Sequence, residues 1–231
     1  MGHVVIIAIL IITVILVKII LKINLKEIKQ IAENNKELDE IVKKYPSNIE
    51  ICKSILKKLN NEKVRIQEDK EANNCLYIAV SDKILIANMR DSFTRIQTIA
   101  HECIHSIQNK KLLIFNFIFS NIYILYFLVI SVLTFFNIIQ NPVIQVYILT
   151  LFSFIYYKVR SFLETDAMTR APYVAEEYMK DSKILEENEI KKIMNSYKII
   201  NNLGIKIANF ELFAKCIFKI IIYAFICFLQ W

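Results

Sequence analysis

The chain has 231 residues, 55% of them hydrophobic, and a formal net charge of +7. Soluble domains run nearer about 45–50% apolar, so this excess predicts membrane segments attached to one compact unit. The lysines are spread through amphipathic stretches and no aromatic-basic patch accompanies them, which argues against nucleic-acid binding and assigns the positive balance to membrane topology.

Residues 3–21 form an almost unbroken apolar run, long enough to span a bilayer. It has no basic n-region and no A-x-A site, so a signal anchor is expected rather than a cleaved signal peptide. Lysines begin at Lys18 and Lys22 and continue at Lys26 and Lys29, which predicts an N-terminus outside and a cytoplasmic stretch from residue 24 onward. Leu25, Ile28 and Ile31, then Leu38, Ile41 and Val42, recur at helical spacing. A further helix begins after Tyr45-Pro46, with Ser47 and Glu50 in a capping-box arrangement and Ile51, Ile55, Leu56 and Leu59 on one face. That face is read as ordinary packing on a core in preference to a docking surface.

Three short strands follow, around Val64–Ile66, Leu76–Val80 and Ile84–Ala87, separated by turn residues Asn73-Asn74 and Ser81-Asp82. They predict a small antiparallel sheet. Its edge could receive an extended peptide, or the sheet could serve only as packing.

Residues 92–109 then read as one helix, with Asp91 or Ser92 as N-cap, and carry His101-Glu102-Cys103-Ile104-His105. Residues four apart share a helix face, so His101 and His105 can direct two imidazoles at one metal ion. Glu102 lies about 100° round the helix from His101, within reach of a metal-bound water without being a ligand. This is the HExxH zinc-hydrolase pattern, two ligands and a general base. The alternative is two histidines satisfied within a helix lying against the membrane. The chain has three histidines in all. The third, His3, is near the N-terminus, and Gln108 and Lys111 stand where a metzincin continuation needs Gly and His. A third ligand should therefore be a downstream carboxylate.

Residues 112–157 are apolar apart from a polar break at Asn137–Gln145 that contains Asn141-Pro142, and they read as a two-span hairpin with a short outside turn near 137–142. Lys158 and Arg160 return the chain to the cytoplasm. Glu164 follows at once, 59 positions after His105. A hairpin brings its two ends to the same membrane face, so Glu164 can approach the histidines as third ligand or remain a solvated carboxylate. Asp166 should point to a nearly opposite helix face, poorly placed to support a histidine that faces Glu164, and should pair with Arg170. Arg170, Tyr173 and Tyr178 have the chemistry of oxyanion stabilisers, although structural roles suit each of them better. Pro172 should kink or end this helix. A last apolar segment, 212–231, carries Lys215 and Lys219 near its start, where both can snorkel. Five cysteines (52, 75, 103, 216 and 227) have no CxxC spacing, and are expected to be reduced, two of them within a span.

The pairing of HECIHSIQ with Glu-Thr-Asp-Ala-x-x-Arg-Ala resembles the YugP-type neutral zinc membrane metallopeptidases over nearly the whole chain. Ile104 stands where that family usually has Gly, and Asn73-Asn74-Cys75 replaces its usual acidic, histidine-containing turn. The resemblance implies His101, His105 and Glu164 as ligands of one Zn2+ and Glu102 as catalytic base. It implies no role for Asp166 or Arg170.

The expected architecture is a mainly α membrane protein of about four transmembrane helices, with a cytoplasmic gluzincin-like zinc-helix core and a small antiparallel β-sheet. Its segments are an anchor (1–23), cytoplasmic helices, sheet and HExxH helix (24–111), a transmembrane hairpin (112–157), a Glu-ligand helix and the helix after it (158–211), and a C-terminal span (212–231). The expected activity is zinc-dependent hydrolysis of a peptide or membrane-protein substrate at the cytoplasmic face of the bilayer. Two rivals are an inactive membrane scaffold and an intramembrane site-2-type protease. The second is disfavoured because Thr94, Arg95, Gln97 and Thr98 make the HExxH helix too polar to span.

Overall fold

The computed structural model of the protein describes residues 2–23, 35–69, 71–72, 74–89 and 92–229. The helical face at Leu25, Ile28 and Ile31, the turn residue Asn73 and the candidate cap Asp91 lie outside them. Seven helices and three strands make up the described chain: α1 (Gly2–Ile20), α2 (Lys36–Val42), α3 (Asn48–Lys58), β1 (Arg65–Asp69), β2 (Leu76–Ile78), β3 (Lys83–Ala87), α4 (Arg95–Ile107), α5 (Lys110–Phe135), α6 (Pro142–Ser182) and α7 (Glu187–Phe228). They divide into two compact units. One is drawn from Met1–Ile23, Ile114–Phe162 and Lys206–Trp231, the other from Asn24–Leu113 and Leu163–Ile205.

Local chemistry explains most element ends. Ser47 caps α3 in a complete capping box with Glu50. The expected helix over 92–109 is shorter, Arg95–Ile107, because Asn109 turns its side chain to accept from the backbone N–H groups of Lys111 and Leu112 and so caps the next helix. At the end of α5, Asn137 adopts a left-handed conformation with φ 56°. Its N–H donates to Thr134 O while Ile138 N–H donates to Leu133 O, the paired bonds of a Schellman stop. Asn141 then accepts from Ile144 N–H and Pro142 occupies the first position of α6, where its missing donor costs nothing.

Two expectations fail. The sheet is mixed, in the order β1-β3-β2: β2 pairs antiparallel with β3, but β1 runs parallel to it. β3 carries the fully buried Ile84, Ile86 and Ala87, and this most apolar strand takes the centre while the polar Arg65–Asp69 is left at an edge. Pro172 does not end its helix, since α6 continues through it to Ser182. An interior proline costs about 3 kcal/mol. Here the same helix buries Ala167, Ala171, Ala175 and Met179 in the second unit, and that packing holds the turn together.

The chain stays helical across the segment boundaries expected at 157/158 and 211/212. Span and Glu-bearing segment are one 41-residue helix, and α7 is one helix of 42 residues. Among the described residues two helices, α5 and α6, are long and apolar enough to cross a membrane, while α1 contributes the shorter apolar stretch Val4–Ile20.

In the first unit Tyr123, Ile130, Leu149, Ile220, Tyr223 and Cys227 form the core, with Phe119 and Phe152 in tilted ring contact at its margin. In the second, Ile51, Ile55 and Leu56 of α3 are buried together with Ile96 and Ile99 of α4 and the inward residues of β3, so the amphipathic face of α3 is a packing face. Arg95 is fully buried and donates to the carbonyls of Tyr45 and Pro46, tying the α2–α3 connection to the start of α4. All five cysteines are free and buried, and Cys52 and Cys103 touch at 3.7 Å between α3 and α4.

Candidate metal centre

Helix α4 has two working faces. Ile96, Ile99, Ala100, Cys103 and Ile104 are fully buried, which anchors the helix and leaves His101 and His105 one turn apart on the adjoining face. Ile104 is part of that buried side. Glu164, near the middle of α6, comes to the same point. His101 Nε2 lies 3.0 Å from His105 Nε2 and 3.4 Å from Glu164 Oε2, and His105 Nε2 lies 3.8 Å from that oxygen.

These three side chains form a group that could hold a metal ion. Ligand atoms about 2.0–2.1 Å from a tetrahedral ion stand about 3.3 Å from one another, and the three separations bracket that value. Convergence of two imidazole lone pairs and a carboxylate oxygen is repulsive unless a cation or a proton lies between them. The His105 ring registers this: burial works against its charged form, but acceptance by Glu164 and the charge of Glu102 outweigh burial and raise its pKa. The donor set, two nitrogens and one oxygen, suits a borderline cation such as Zn2+.

Glu102 lies beside this trio without joining it. One oxygen, Oε1, is 4.0 Å from His101 Nε2. The other, Oε2, accepts a 2.6 Å hydrogen bond from the backbone N–H of Tyr77 in β2. The carboxyl is 6% exposed. Burial pushes its pKa up, against the opposing pull of His101, His105 and the Tyr77 N–H. Of its two oxygens, one is thus tethered and one faces the metal-binding group.

Two contributors were not legible from the motif. The Tyr77 tether is a backbone group, and no side-chain pattern announces it. Gln108 is the other: its Oε1 lies 2.8 Å from His105 Nδ1, and its Nε2 donates to Leu163 O at 2.9 Å and to Asp166 Oδ2 at 2.7 Å. An amide three residues beyond the second histidine was the available signal, since i and i+3 are neighbours at a helix end. Asp166 does pair with Arg170, at 3.5 Å. Its expected isolation from the histidines is corrected, because the length of the Gln108 side chain bridges the angular gap to His105. Of the other residues weighed for oxyanion binding, Tyr178 packs against Tyr45 with ring centroids 5.7 Å apart, and Tyr173 stands exposed. No family model, no curated protein and no solved structure matches this chain.

Proposed function

We propose that the protein is a multi-pass membrane zinc endopeptidase that hydrolyses peptide bonds at the cytoplasmic face of the bilayer. The observation that carries this reading is the convergence of His101, His105 and Glu164 with the buried Glu102 immediately beside them. The likeness to YugP-type metallopeptidases points the same way. His101 Nε2, His105 Nε2 and a Glu164 oxygen would hold the zinc, which when bound supplies Lewis-acid polarisation of the scissile carbonyl and lowers the pKa of its water towards ~7.

The chain's own residues do the proton work. The Tyr77 N–H holds Glu102 Oε2, so Oε1 is the oxygen free to take a proton from the attacking water. Glu102 then returns that proton to the leaving amine nitrogen, and the base becomes the acid for the second half of the reaction. β2 stands at an edge of the sheet, but its outward N–H at Tyr77 is given to Glu102, so an extended peptide added there as a strand would find no donor at that residue.

In the proposed topology α1, α5, the N-terminal half of α6 and the C-terminal half of α7 are four spans, with the N-terminus outside. Lys110, Lys111, Lys158 and Arg160 lie at the cytoplasmic ends of the central pair, as the positive-inside rule requires. Peptides or membrane-protein segments presented at that face are the substrates.

Zinc content per chain, measured on detergent-purified wild type, Glu102→Gln and Glu164→Ala proteins, tests the centre. About one zinc in the first two and a clear loss in the third is the expected result. A wild type without zinc would leave an inactive membrane scaffold as the better reading. Zinc unchanged in Glu164→Ala would place the third ligand elsewhere.

A further inference from the structure

Glu164 and Asp166 reach the two ends of one imidazole. Glu164 approaches His105 at Nε2, where the metal would sit, and Asp166 approaches Nδ1 through the amide of Gln108. A carboxamide is asymmetric, since its nitrogen only donates and its oxygen only accepts. Gln108 Nε2 faces the Leu163 carbonyl and the Asp166 carboxylate, two groups that only accept, so the orientation of the amide is settled from that side. Oε1 must then face His105, and Nδ1 at 2.8 Å must carry the hydrogen. The remaining nitrogen, Nε2, is the one left for a metal, 3.0 Å from His101 Nε2 and 3.8 Å from Glu164 Oε2.

We infer that Gln108 and Asp166 form a positioning relay that holds His105 in its metal-binding tautomer and orientation, an inference that rests on the metal centre proposed above. The charge of Asp166 polarises the Gln108 amide and strengthens the acceptor that His105 sees, which makes Nε2 a better donor to the metal. Both hydrogens of the amide are used, one on the side chain and one on the backbone of α6. The ring is thereby referenced to the helix that supplies Glu164, and two residues of spacing on α6 serve both ends of His105. This accounts for the Glu-x-Asp pair and for an amide three positions after the second histidine. Neither Gln108 nor Asp166 is a ligand, and neither meets substrate in this scheme.

The test is zinc affinity of the full chain in detergent, read by competition with a chromophoric chelator. Loss of a hydrogen-bond partner behind a metal-bound histidine typically costs about 10–100-fold in affinity, so Gln108→Ala should fall in that range and Asp166→Ala near its lower end. Because Asp166 acts through Gln108, the double variant should bind zinc no more weakly than Gln108→Ala alone, within about twofold. Asp166→Asn keeps shape and an acceptor, and should lose less than Asp166→Ala. Zinc-loaded protein with 15N-histidine contains only three labelled rings. One should show a protected Nδ1–H that weakens in Gln108→Ala, a signature that packing alone would not move.

Wild-type affinity in Gln108→Ala would overturn the relay, as would fully additive losses in the double variant. So would an unchanged Nδ1–H signal. A wild type that binds no zinc is a different result: it removes the metal centre itself, and the relay with it.

Discussion

In the first compact unit, Leu125 is 63% exposed, Phe154 58% and Ile12 54%, while the interior holds hydroxyls bonded in pairs, Tyr123 with Ser153 and Thr134 with Tyr223. In the second, the α3, α4 and β3 isoleucines are fully buried, and the surface is laced with ion pairs such as Lys58–Asp181 and Lys44–Glu189. On the proposed membrane topology, the two arrangements answer to two solvents. Where lipid surrounds the helices, apolar side chains gain nothing by turning inward, and the scarce polar groups find one another instead. Where water surrounds them, burial of apolar area supplies the stability. The second unit breaks its own rule at one place: it buries Glu102 and His105 beside Glu164, and that exception is where chemistry is expected.

The largest effect should come from the exception. Glu102→Gln should retain zinc and lower peptide turnover by about 10³-fold or more, measured on any peptide the wild type cleaves. Turnover that survives would remove Glu102 from the mechanism. Next is the buried interior of the water-facing unit. Ile55→Ala should destabilise it by about 2–5 kcal/mol in denaturant titration, since Ile55 is fully buried and its loss leaves a cavity in the core. An unchanged midpoint would contradict the packing described.

A matched pair of charges then sharpens the contrast. Leu125→Lys, placed in the middle of α5, should cost about 2.5–3.5 kcal/mol of apparent membrane insertion in a glycosylation-mapped insertion assay. Ile184→Lys, 38% exposed in the second unit, should stay within about 0.5 kcal/mol of wild-type stability. Equal responses would mean that both surfaces face the same solvent. The smallest effect belongs to the buried hydroxyls: Thr134→Val should cost about 0.6 kcal/mol, because interhelical hydrogen bonds in lipid contribute little net stability. Steric trapping in bicelles can resolve that difference.

Local rules carried far into the fold. The Ser47–Glu50 box, the polar break at Asn141-Pro142 and the apolar runs of α5 and α6 were readable because each depends on residues within one or two turns of each other. The sheet was readable in its strands but not in its order. Which strand takes the centre depends on what the helices bury, and that is a property of the assembled core. Pro172 is a related case: a kink or an end follows from its local penalty, but α6 runs on past it to Ser182, and the burial of Ala167, Ala171, Ala175 and Met179 that accompanies it is non-local. The role of Asp166 escaped because helix geometry alone says where its Cβ points and nothing about the reach of a Gln108 arriving from another helix.

The sequence by itself determined the membrane-prone helices, the histidine pair four residues apart with a carboxylate beside it, and the demand for another carboxylate downstream, because periodicity and chemical type are local. Tertiary structure alone decided that Glu164 meets those histidines, that Tyr77 N–H tethers one oxygen of Glu102, and that Gln108 joins Asp166 to His105. Apart from the local Gln108–His105 bond, three residues along the chain, these contacts join groups far apart in sequence, and their distances follow only from how α4, α6 and the sheet pack around one buried point.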